Sequence, residues 1–63
     1  MNDRDFVSRV ATYLADAGMR KPKAHDWHNA IRVLSHPQKP SNKTLGTLVM
    51  LAEEKYPPGS LLR

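Results

Sequence analysis

Asp26-Trp27-His28-Asn29-Ala30-Ile31-Arg32-Val33-Leu34-Ser35-His36-Pro37-Gln38-Lys39-Pro40-Ser41 reads as a short amphipathic helix followed by a basic loop that begins at a proline. Trp27, Ala30, Ile31 and Leu34 fall at i, i+3, i+4 and i+7, one stripe of an α-helix, so that side packs. The spacing predicts a helix over 26–35. Asp26 stands just before the stripe as an N-cap, because its carboxylate can accept a backbone N–H that the first turn leaves unpaired. Pro37 ends the helix by pushing the residue before it out of the α region. The opposite face shows His28, Asn29, Arg32, Ser35 and His36, all able to hydrogen-bond. Val33 falls off the stripe, toward a partner or the third helix. Trp27 has two readings: a core residue in register with Ala30, Ile31 and Leu34, or a surface anchor of the kind enriched at binding hot spots.

On the N-terminal side, Asn2 is a good N-cap, and Asp5 three residues later makes a loose capping box. Phe6, Val7, Val10, Ala11, Leu14 and Ala17 recur at helical spacing, with Arg9, Thr12 and Asp16 outside, which predicts a helix over 3–17. Gly18 supplies the left-handed residue that commonly ends a helix. Arg20 to His25 is a basic connector, and Pro22 permits a short helical lead-in to the next element.

On the C-terminal side, Ser41 caps a third helix over 42–56. Leu45, Leu48, Val49, Ala52 and Tyr56 form its buried stripe, which Leu51 widens. Gly46 inside that helix costs about 1 kcal/mol relative to alanine, tolerable where another backbone passes close. Pro57 and Pro58 stop the helix and Gly59 lets the tail turn, so that Leu61 and Leu62 return to the core in a short last turn. No strand-like alternation, internal repeat or low-complexity tract is present. The class is all-α: one helical domain over 1–63, a compact bundle of three main helices.

A chain of 63 residues sits near the small end of what folds alone. It buries only about 60% of its unfolded surface, so a homodimer or another partner is a reasonable expectation. There is no cysteine, hence no disulfide and no thiolate zinc site, which suits a reducing cytoplasm. No stretch is apolar and long enough to span a membrane, and charges at Asp3, Arg4 and Asp5 disqualify the N-terminus as a signal peptide. The net charge is +4, and its location is informative. Residues 1–19 set Arg4 and Arg9 against Asp3, Asp5 and Asp16, net −1. Residues 44–63 balance Lys55 and Arg63 against Glu53 and Glu54. Residues 20–43 set Arg20, Lys21, Lys23, Arg32, Lys39 and Lys43 against Asp26 alone, net +5, and hold all three histidines. A basic middle suits a phosphate backbone or another acidic surface and argues against an acidic DNA mimic. The plainer explanation is that exposed loops collect lysine.

Catalytic and metal chemistry have little to stand on. His25 and His28 share a helix face at i and i+3, but no third ligand has a defined spacing to them, and His36 is a loose candidate. Asp3, Asp5 and Asp26 are explained by helix starts, and Glu53 and Glu54 read as solvated. No glycine-rich phosphate loop and no nucleophile–histidine spacing is present, and so small a core makes a substrate pocket hard to build. The chain is expected to be neither an enzyme nor a cofactor or metal protein.

From Arg32 onward the chain resembles the second half of a Cro/lambda-repressor-like (Xre-type) helix-turn-helix domain. The run Arg32-Val33-Leu34-Ser35-His36-Pro37-Gln38-Lys39-Pro40-Ser41 is similar to the end of that family's recognition helix and the polar Lys-Pro-Ser loop after it. Thr44-Leu45, Leu48 and Leu51-Ala52 look like its next helix, and Leu61-Leu62 like its closing segment. The family has two helices before the recognition helix, joined to it by a tight glycine turn. Here Leu14-Ala15-Asp16-Ala17-Gly18-Met19 looks like the positioning helix and turn, followed by a longer basic connector, so the likeness is shortened or degenerate on that side. The resemblance implies a helix-turn-helix-like bundle that reads double-stranded DNA, commonly as a dimer on a two-fold site.

Two expectations follow. The first is a small basic DNA-binding protein, a phage- or plasmid-type transcriptional regulator or repressor, with helix 26–35 in the major groove. His28, Asn29, Arg32 and Ser35 are its base-contact candidates, since arginine suits guanine and asparagine suits adenine. Arg20, Lys21, Lys23, Lys39 and Lys43 are its phosphate-contact candidates. The alternative is a protein-interaction module, such as a phage-encoded inhibitor, that docks the same basic face on a host protein through Trp27 or Val33.

Overall fold

The computed structural model describes residues 2–57 and Leu61. Three helices follow one another: α1 (Asp3–Asp16), α2 (Ala24–Ser35) and α3 (Asn42–Lys55). Each packs on both others, as the all-α reading expects. The expected turn at Gly59 and the packing of Leu62 lie outside the described residues, whereas Leu61 packs on the core.

Asn2 caps α1, its side-chain oxygen accepting the Asp5 N–H at 2.8 Å. Asp3 and Asp5 place negative charge in the first turn, where the helix dipole favours it. At the far end the Gly18 N–H donates to Ala15 O and the Met19 N–H to Leu14 O, with Gly18 at φ +81°. This is a Schellman closure, and it requires a residue without a Cβ penalty in the left-handed region. Met19, the residue after the glycine, packs back on the core. Ala17, expected in the buried stripe, is the exposed C-cap instead, because the helix closes one residue before the pattern does.

The start of α2 lies two residues before the main helix expected over 26–35, within the lead-in that Pro22 permits. The helix begins at Ala24, with Lys23 as its N-cap, so the basic connector is shorter and Asp26 is the third helical residue. Asp26 still caps, but from inside: its Oδ2 accepts the Lys23 backbone N–H at 2.8 Å. A lysine side chain has no acceptor to return the bond, so only this half of a capping box forms. Ser41 caps α3 as expected, its Oγ accepting the Thr44 N–H at 3.2 Å. α3 ends at Lys55, one residue inside the expected end, with Tyr56 as its C-cap.

The core takes Val7, Val10, Ala11 and Leu14 from α1, Trp27, Ala30 and Ile31 from α2, and Leu45, Leu48 and Ala52 from α3. Leu34, Val49, Leu51 and Tyr56 close its edges. Trp27 is 1% exposed, so of its two readings the core one holds. Its indole stacks on the Tyr56 ring, with centroids 5.9 Å apart and planes 27° apart. Tyr56 is itself tied to α1: its hydroxyl and the Lys55 ammonium each donate to Ser8 Oγ, at 3.2 and 3.0 Å.

Gly46 shows no close backbone approach. A Cβ built there meets nothing within 4 Å, and the residue is exposed. The glycine therefore carries only its entropic cost, and Gly46→Ala is expected to stabilise the domain by about 1 kcal/mol. In a thermal melt this is a rise in Tm of roughly 4–8 °C for a domain of this size. An unchanged or lower Tm would mean that the site is not open.

Candidate nucleic-acid interface

With Trp27, Ala30 and Ile31 turned inward and Leu34 packed at the core's edge, α2 directs its opposite side to solvent. His25, Asn29 and Arg32, at i, i+4 and i+7, are exposed along the line most distant from the core stripe. His28 and Ser35 sit on a flank and are half-buried, and the Ser35 carbonyl accepts the Gln38 N–H at 2.9 Å in the turn that leaves the helix. The His36–Pro37 peptide bond in that turn is cis. Of the four base-contact candidates, Asn29 and Arg32 thus project freely and His28 and Ser35 are set back. His25 was not among the candidates. Its position on the outermost line follows once the helix is known to begin at Ala24.

Arg20, Lys21, Lys23, Lys39 and Lys43 are all exposed, as is Arg32. Among the described residues no ion pair engages any of these six, whereas His25 Nε2 lies 3.2 Å from Asp26 Oδ1. The cations are distributed by the fold rather than gathered at one point. Arg20, Lys21 and Lys23 stand at the N-terminal end of α2. Lys39 lies in the loop after it, and Lys43 in the first turn of α3. A twelve-residue helix is about 18 Å long, so positive charge brackets α2 at both ends, with Arg32 between.

The outward face of α2, the loop over 36–40 and the start of α3 frame an open groove of about 970 Å³. It brings together His28, Asn29, Arg32 and Lys39 of the sequence candidates and leaves out Ser35, Arg20, Lys21, Lys23 and Lys43. Val33, Pro37, Pro40 and Leu45 form apolar wall, and Val33 is 55% exposed. A space of this size was not expected from so small a core. Pro37 and Pro40 of the loop after α2 both line it. Sequence pattern carries no signal for it beyond the two prolines.

Among the described residues no group of three histidine, aspartate or glutamate side chains could hold a metal ion, and no helix is long and apolar enough to cross a membrane. Comparison with family models, with curated proteins and with solved structures returned no match.

Proposed function

We propose that the protein is a small DNA-binding regulator, of the kind carried by phages and plasmids, that lays α2 in the major groove of a duplex. The burial of Trp27 carries this reading, because it turns Asn29 and Arg32 outward on a helix that cations bracket at both ends. A helix fits the major groove, where arginine pairs with guanine O6/N7 and asparagine with adenine N6/N7. Arg20, Lys21 and Lys23 on one side and Lys39 and Lys43 on the other would hold phosphates and fix the register. Two copies on a two-fold site in the cytoplasm, and a shortened relationship to the Xre-type helix-turn-helix, belong to the same proposal.

The test is duplex binding across a salt series. With six cations available, log Kd is expected to change with log salt at a slope of up to about 5, near 0.9 for each phosphate neutralised. Absence of duplex binding at low salt would overturn the reading.

Val33 supports a second reading. An exposed aliphatic side chain on a groove wall, beside Arg32, suits the acidic surface of a host protein. Recovery of one stoichiometric protein partner, with no affinity for DNA, would decide for it.

A further inference from the structure

The α2–α3 groove gathers His28, Arg32, His36 and Lys39, and among the described residues no aspartate or glutamate lines it. α3 contributes Asn42 and Leu45, neither titratable, and α1 contributes no lining residue. Asn42 is the first residue of α3, so the positive end of that helix's dipole opens on the same space. Asp26, the one carboxylate of α2, does not line the groove and is already engaged by the Lys23 N–H and by His25. Two fixed cations and two imidazoles thus share an opening with apolar walls and no counter-charge. Imidazole is the side chain that ordinarily gains its proton between about pH 5 and 8.

We propose that this groove is an anion seat for a phosphate-class ligand, and that it tightens as His28 and His36 take up protons. A bound anion favours imidazolium over imidazole, so binding takes up protons and affinity rises as pH falls. The ligand's source is either a backbone phosphate of a duplex, which rests on the DNA reading above and is then held by Lys39 and the imidazoles while Arg32 meets the base edge, or a free phosphate, which does not. His25 is the internal control, since it lies on the same helix outside the groove.

The experiment has two arms on the full chain at constant ionic strength. In the first, dimethyl phosphate, whose single negative charge is the same at pH 5.5 and pH 8, is titrated at both pH values while the histidine ring resonances are followed by NMR. His28 and His36 are expected to shift saturably at pH 5.5 and weakly at pH 8, with His25 unmoved. Equal shifts at all three histidines, or none, would overturn the seat. In the second, duplex affinity is measured against salt at both pH values. The slope is expected to steepen by up to about 1.8 at pH 5.5, near 0.9 for each imidazolium that meets a phosphate. The double variant His28→Gln, His36→Gln is expected to lose that steepening, and a steepening that survives it would overturn the duplex source. A positive phosphate arm without duplex binding upholds the seat with free phosphate as its ligand and ends the DNA reading. Duplex binding with a negative phosphate arm ends the seat and leaves the DNA reading intact.

Discussion

Trp27→Ala is expected to remove between a third and all of the domain's stability. The indole is 1% exposed and stacked on Tyr56, so its removal opens a cavity that three short helices cannot close around. Truncating a buried tryptophan costs about 3–5 kcal/mol. A domain of this length has a total stability of roughly 3–9 kcal/mol, at 0.05–0.15 kcal/mol per residue. The loss therefore takes a third of the stability at the least and all of it at the most. Urea unfolding followed by circular dichroism is the measurement. Trp27→Phe keeps an aromatic ring opposite Tyr56 and is expected to retain a cooperative transition at lower denaturant. A loss under about 1 kcal/mol for Trp27→Ala would mean that the indole is not the centre of the core.

Arg32→Ala has the largest expected effect on binding, under the DNA reading. The guanidinium is exposed on the outermost line of α2 and no ion pair among the described residues engages it, so its removal should move stability by no more than about 0.5 kcal/mol. A bidentate arginine–guanine contact contributes about 1–3 kcal/mol of discrimination, which is roughly a 5- to 150-fold loss of affinity for the preferred sequence. Binding to unrelated sequence would change much less. Lys21→Ala is the comparison, because a phosphate contact weakens all sequences alike and lowers the salt slope by about 0.9. If Arg32→Ala behaved as Lys21→Ala does, Arg32 would be a backbone contact and the reading face would lie elsewhere. If it had no effect, the duplex reading would fall.

The helices were legible because each has a run of apolar residues at period 3.6 between a side-chain cap and a stop. Asn2, Ser41 and Gly18 mark ends that need a particular side chain or a particular φ, and such needs are local. The start of α2 was misplaced for an equally local reason. A carboxylate near a helix start can cap from the N-cap position or from the third helical position, and Asp26 is suited to both. Lys23 carries no capping signal, so the pattern permits a lead-in after Pro22 without marking a boundary before Ala24. Gly46 invites a tertiary explanation that the open space around it does not support. The groove was out of reach altogether, since its lining comes from two helices and the 36–40 loop between them in sequence, which no local pattern relates. Its charge was legible, but its shape was not.

The stack of Trp27 on Tyr56 also divides what light can report. Trp27 is the chain's one tryptophan, and it lies under the helix whose other side carries Asn29 and Arg32. Its emission therefore follows the integrity of the bundle, with Tyr56 close enough to pass excitation to it. A ligand on the far side of α2 has no contact with the indole. Intrinsic fluorescence should accordingly stay constant through a binding titration and collapse through a denaturant titration. A binding assay needs an external label, and any change in the native emission during it is a sign that the fold, not the surface, has responded.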